Sequence, residues 1–159
     1  MTDTTSTTTS PASPASPASP ASPASTTSTT DPTETATERL ARTIDTHLEA
    51  YCEPDAGRRA ALVASAWQPD GSLLDPPFDG TGHAAIAAMT DVVLAHYPAH
   101  RFERTTAVDT HHGVARYGWQ LVGSDGSIAV AGLDVAEFAA DGRLARIVGF
   151  FGPLADRTA

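Results

Sequence analysis

Leu133-Asp134-Val135-Ala136-Glu137-Phe138-Ala139-Ala140-Asp141-Gly142-Arg143-Leu144 reads as the middle of a β-hairpin. An apolar run that begins at Ile128 meets the turn signal Asp141-Gly142, and a second run, Leu144 to Phe151, leaves it. Alternation with a period of two puts Ile128, Val130, Gly132, Asp134, Ala136 and Phe138 on one face. Asp134 is the one acid in that largely apolar row. Turned inward, its carboxyl must be hydrogen-bonded or neutral, because an unpaired buried charge is too costly. Turned outward, it is an ordinary surface acid.

Upstream of the hairpin the β pattern continues as far as Pro98. Strands are expected over residues 101–111, 114–123, 127–139 and 143–151, with tight turns at His112-Gly113, Asp125-Gly126 and Asp141-Gly142. Before Pro98 the pattern is mostly helical. Asp31-Pro32-Thr33-Glu34 reads as a helix start, and Leu40, Ile44, His47, Leu48 and Tyr51 then recur at helical spacing until Pro54. Asp55 caps a second, short helix carrying Leu62, Val63, Ala66 and Trp67. Gln68-Pro69-Asp70-Gly71 reads as a turn and residues 72–75 as a short strand ended by Pro76-Pro77. A third helix follows Asp79-Gly80-Thr81-Gly82, with Ile86, Met89, Val93 and Tyr97 as its buried stripe. The expected order is ααβαββββ. It describes an α+β domain in which a curved antiparallel sheet wraps around three N-terminal helices.

The first 30 residues contain only Thr, Ser, Ala, Pro, Asp and the initiator Met, with Pro-Ala-Ser repeating from Pro11 to Ser25. Such a segment cannot offset its own ordering entropy and is expected to be a disordered tether. The folded domain is expected over 31–154, a length that suits one hydrophobic core, with 155–159 as a short C-terminal tail. The net charge of −9 argues against nucleic acid or an anionic membrane as the main partner. The tail lacks the basic start and apolar centre of a secretory signal, so a cytoplasmic location is the expectation.

Most kinds of catalytic site find no footing. Cys52 is the single cysteine, so neither an internal disulfide nor a thiolate metal cluster is available. His111 and His112 are neighbours on a strand and point to opposite faces, while Pro98 breaks the helix between His96 and His100. Neither His-Glu-x-x-His nor Gly-x-Ser-x-Gly occurs, so no metal, no cofactor and no activated serine is expected. Acid–base chemistry survives. Asp75 ends a strand before two prolines, at the mouth of any cavity, whereas Asp134 sits among Tyr117, Trp119, Leu121 and Phe151 on neighbouring strands. A near-normal Asp75 beside an Asp134 raised by apolar surroundings would supply a base and a hydrogen-bond donor. The alternative is an Asp75 that caps a loop and an Asp134 tied into a backbone network.

Leu74-Asp75-Pro76-Pro77-Phe78 with Gly80-x-Gly82-x-x-Ala85-Ile86, and Leu133-Asp134-Val135-x-x-Phe138-x-x-Asp141-Gly142-Arg143-Leu144, resemble segments of the nuclear transport factor 2-like superfamily. That superfamily holds the SnoaL-like proteins and the ketosteroid isomerases. The resemblance runs from Glu34 to Leu154 and implies a cone with a pocket at its open end. It implies Asp75 as the proton-shuttling base and Asp134 as the acid that donates a hydrogen bond to a developing oxyanion. Their third member is a tyrosine on the first helix, where His47 and, less closely, Tyr51 stand here.

The expected function is cofactor-free acid–base catalysis on a small, apolar, carbonyl-bearing molecule: isomerisation, cyclisation or dehydration. Asp75, Asp134 and His47 carry the chemistry, and Tyr51, Phe78, Met89, Tyr117, Trp119 and Phe151 line the pocket. The alternatives are a non-catalytic binder of small molecules and a purely structural dimer. Ala129, Ala131, Leu133 and Val135 make the second face of the central strand apolar as well, so a homodimer packed through the sheet is expected.

Overall fold

Helix α1, Ala36–Ala50, begins at a capping box. The Thr35 hydroxyl accepts the Glu38 backbone N–H at 3.2 Å, and the Glu38 carboxylate accepts the Thr35 backbone N–H at 2.7 Å. That reciprocal pair satisfies two of the donors a helix start leaves bare. The structure, a computed structural model, describes residue 1 and residues 34–157. The Pro-Ala-Ser repeat and the Asp31 start lie outside the described residues. Helix α2, Ala56–Ala66, is capped as expected, with the Asp55 carboxylate accepting Arg58 N–H at 2.8 Å.

Strand β1, Trp67–Asp75, leaves α2 directly, so Gln68 to Gly71 belong to a strand and not to a turn. The turn-like composition marks an irregularity instead. Pairing of β1 with the last strand shifts register between Trp67 and Ser72, where Pro69 has no N–H to offer a ladder. The Pro76-Pro77 turn then folds β2, Phe78–Thr81, back onto β1, with Asp75 opposite Phe78. Gly82, at φ 86°, opens helix α3, His83–His96. Buried Arg59 ties α2 to α3 through an ion pair with Asp91, and it donates to the carbonyls of Glu53 and Pro54 as well.

Five strands follow: β3 Arg101–Arg104, β4 Asp109–His111, β5 Val114–Val122, β6 Ile128–Phe138 and β7 Leu144–Phe151. The single strand expected over 101–111 is broken because Thr105 and Thr106 turn to Gly118. Thr105 N–H donates to the Gly118 carbonyl at 2.8 Å, and Thr106 Oγ1 accepts Gly118 N–H at 2.9 Å. The sheet runs β2-β1-β7-β6-β5-β3, with β4 also on β5. It is antiparallel except between β1 and β7, which are parallel, so the wholly antiparallel sheet expected above is corrected to a mixed one. A parallel neighbour needs a long crossover, and α3 with five strands separates these two.

The helices pack on one face of this sheet around Ile44, Val63, Trp67, Leu73, Ile86, Leu144 and Ile147. Asp134 and Ala136 share that face, as the alternation predicts, and the face is the buried one, while Ile128 is exposed because the β5–β6 register shifts between Leu121 and Val122. Leu133 and Phe150, paired across β6 and β7, stay exposed on the other face. Among the described residues no helix is long and apolar enough to cross a membrane.

Candidate active site

Two carboxylates meet over a glycine. Asp134 lies opposite Gly149 in the β6–β7 ladder, and Asp75 ends β1 on the other side of β7. A Cβ added to Gly149 would overlap Asp75 Oδ1 and stand 3.0 Å from Asp134 Oδ1. Both carboxylates therefore crowd the same point, within the range of about 4–6 Å over which like charges disfavour each other's ionisation. The site needs a residue without a side chain there, and Gly149 supplies it.

The two acids are held differently. Asp134 is buried and clamped: Tyr117 OH donates to Oδ2 at 2.8 Å and Trp119 Nε1–H to Oδ1 at 2.7 Å. Tyr117 faces Asp134 across the β5–β6 ladder, and Trp119 lies over Gly132, where a Cβ would stand 2.6 Å from the indole. Burial pushes Asp134 up to about 6, against the pull of those two hydrogen bonds. Asp75 is half-buried, and its Oδ1 is enclosed with no hydrogen-bond partner. Burial first and the neighbouring Asp134 second push it up to about 7. The expectation of a near-normal Asp75 is thus reversed. Both acids rise, Asp75 through burial and the charge of Asp134, and Asp134 through burial against its two hydrogen bonds.

Helix α1 supplies the opposite wall through His47 and Tyr51, one turn apart. The Trp67 indole N–H donates to His47 Nδ1 at 3.1 Å, and an indole can only donate. The ring proton of neutral His47 therefore sits on Nε2. Burial holds His47 down to about 3, so the ring is neutral at physiological pH. Tyr51 OH is buried without a partner, and burial together with the charges of Asp75 and Asp134 keeps it protonated.

His47, Tyr51, Asp75 and Asp134 line one cavity of about 40 Å³. Phe78, Val93, Phe102, Trp119 and Phe151 border both this chamber and a second, mostly apolar one of about 350 Å³. The inner chamber has room for about three waters at 10–15 Å³ each, whereas the outer one is of the size that holds small molecules, about 300–1,000 Å³.

Of the residues singled out by sequence, Asp75, Asp134, His47, Tyr51, Phe78, Trp119 and Phe151 come together here. Met89 does not: α3 turns it against Gly80 of β2, where an added Cβ would overlap its Cε. Tyr117 stands behind Asp134 as its donor and lines neither chamber. Phe102 was missed. Its signal was its place opposite Leu121 on the neighbouring strand, which faces the same interior. Among the described residues no group of three or more His, Cys, Asp or Glu side chains is placed to hold a metal ion.

No family model matches this chain, and no curated protein matches it. Solved structures do. A proposed isomerase of the SnoaL-like family from Agrobacterium tumefaciens is 32% identical, the match covering 72% of this chain and 98% of that one with a TM-score of 0.68. An NTF2-like protein of unknown function from Exiguobacterium is 15% identical over 70% of this chain and 99% of its own, with a TM-score of 0.56. A proposed polyketide cyclase from Sinorhizobium meliloti is 16% identical over 69% and 94%, with a TM-score of 0.54. At those lower identities the last two share the fold.

Proposed function

The chain belongs to the SnoaL-like family of the NTF2-like fold, and from that premise we propose that it moves a proton next to a carbonyl group without a cofactor. The observation that carries the reading is the pair of enclosed, unpartnered polar atoms on one small chamber, Asp75 Oδ1 and Tyr51 OH. Asp75 is the general base. A pKa near the working pH lets it both take and return a proton. The pair of electrons left on carbon moves to the carbonyl oxygen, and the enolate that forms needs donors. Tyr51 OH and the Nε2–H of His47 are neutral donors on the facing helix, suited to that oxygen.

Asp134 takes a different part from the one the resemblance implies. Both its oxygens already accept hydrogen bonds, so it acts as a clamped carboxylate whose charge raises the Asp75 pKa and makes the ionised Asp75 a stronger base. Return of the proton to another carbon gives isomerisation. Loss of a β-hydroxyl gives dehydration, and attack of the enolate on a second carbonyl gives cyclisation. The apolar outer chamber takes the body of the substrate.

The test is conversion of cyclohex-3-enone to its conjugated isomer, followed by absorbance. A rate above buffer that drops on the order of a hundredfold in Asp75→Asn supports the reading. No acceleration by the parent protein refutes it for this substrate class. A non-catalytic binder is the second reading, favoured by the size and apolar walls of the outer chamber. We also propose that exposed Leu133 and Phe150, with Val135 and Val148 beside them in register, form the seam of a homodimer.

A further inference from the structure

The acid pair shares its space with no cationic side chain. All ten basic residues of the chain are Arg, and none lines either chamber. Tyr51 adds an independent signal: it is 6% exposed, it lines the inner chamber, and its hydroxyl is unpartnered. A carboxylate oxygen only accepts hydrogen bonds, and a phenol oxygen can accept as well as donate. One group satisfies all of them at once: a compact cation with several N–H donors. The walls suit it too. Tyr51, Phe102, Trp119 and Phe151 form a chain of rings with successive centroids 5.2, 5.3 and 5.5 Å apart, and ring faces attract cations.

We propose that the paired chambers bind a primary alkylammonium ligand, with its –NH₃⁺ between Asp75, Asp134 and Tyr51 and its hydrocarbon in the outer chamber. The inner chamber, about 40 Å³, takes the ammonium head and little more, while the outer one, about 350 Å³, accommodates the chain. Asp75 Oδ1 and Tyr51 OH gain direct hydrogen bonds. Asp134, already served by Tyr117 and Trp119, contributes its charge. The inference stands apart from turnover, because it concerns a ligand class that the carbonyl reading does not include.

Calorimetric titration of the full chain with hexylamine and with hexan-1-ol at neutral pH tests it. Hexylamine should bind once per chain and at least about tenfold more tightly than the alcohol, as a charge-assisted contact requires. Asp75→Asn should remove about that factor for the amine and leave the alcohol unaffected. Should that variant fail to fold by circular dichroism, Tyr51→Phe is expected to weaken the amine several-fold and spare the alcohol. Equal affinity for amine and alcohol in the parent, no binding of either, or full amine affinity in a folded Asp75→Asn overturns the proposal. A protein that isomerises the enone without preferring hexylamine loses this inference and keeps the carbonyl reading. One that binds hexylamine without turnover does the reverse.

Discussion

Asp134→Asn tests the acid pair at its more deeply buried member. Asp134 is 5% exposed, and its pKa rises from 3.8 to about 6 on folding. An acid with a raised folded-state pKa holds its proton more tightly in the native protein. Its contribution to stability is therefore full below the unfolded value and is lost as pH climbs through about 6. At about 1.4 kcal/mol per pKa unit, ionising it costs the folded state on the order of 3 kcal/mol at neutral pH. Asparagine removes that cost. Its carbonyl can still accept the Trp119 indole N–H, and its amide can donate to the Tyr117 oxygen. The Tyr117 proton then loses its acceptor, which gives back about 1 kcal/mol. The variant should therefore be more stable than the parent by about 1–2 kcal/mol at pH 8, or roughly 4–8 °C in Tm for a domain of this size. At pH 4 that advantage should vanish or change sign. Thermal melts by circular dichroism across that range measure it. An Asn variant that melts with the parent at every pH would refute the buried acid.

Gly149→Ala should leave the protein folded while its methyl group expels the Asp75 carboxylate toward solvent. The Asp75 pKa is expected to fall back toward 3.8, and any proton-transfer rate to drop about a hundredfold, read by carboxyl titration and initial rates. An unchanged Asp75 pKa would contradict the convergence described. On the outer face, light scattering of the parent should return a dimer mass, and Leu133→Glu with Phe150→Glu should return a monomer. A parent that is monomeric at micromolar concentration would remove the seam.

What was legible in the chain was whatever local chemistry specifies. Asp141-Gly142 between two apolar runs marks the β6–β7 hairpin, and the alternation puts Asp134 in a largely apolar row, though only the packing of the helices shows that this row faces inward. Pro76-Pro77 likewise ends β1 at Asp75. The missed features depend on partners distant in the chain. Phe78 to Thr81 has the composition of a turn and becomes β2 only by pairing with β1. Gln68 to Gly71 contains proline and glycine, and it belongs to a strand whose flanking residues Trp67 and Ser72 pair with β7, an element more than 70 residues away in the chain. The upward shift of Asp75 was misjudged for a related reason. It depends on burial and on Asp134, which reaches the same point from across β7, and Trp119 reaches Asp134 only because Gly132 lets the indole lie flat. The tautomer of His47 is set by Trp67, which no spacing rule connects to it.

The central claim is that Asp75 and Asp134 form a coupled acid pair with Asp75 poised near neutrality. Carbon-13 NMR of the aspartate carboxyls, titrated with pH in the parent and in Asp134→Asn, tests it most directly. Two resonances should titrate well above the ordinary range, Asp75 at about 7 and Asp134 at about 6, and the Asp75 value should fall once its neighbour can no longer ionise. An Asp75 that titrates near 3.8, or one that ignores the loss of Asp134, would contradict the account.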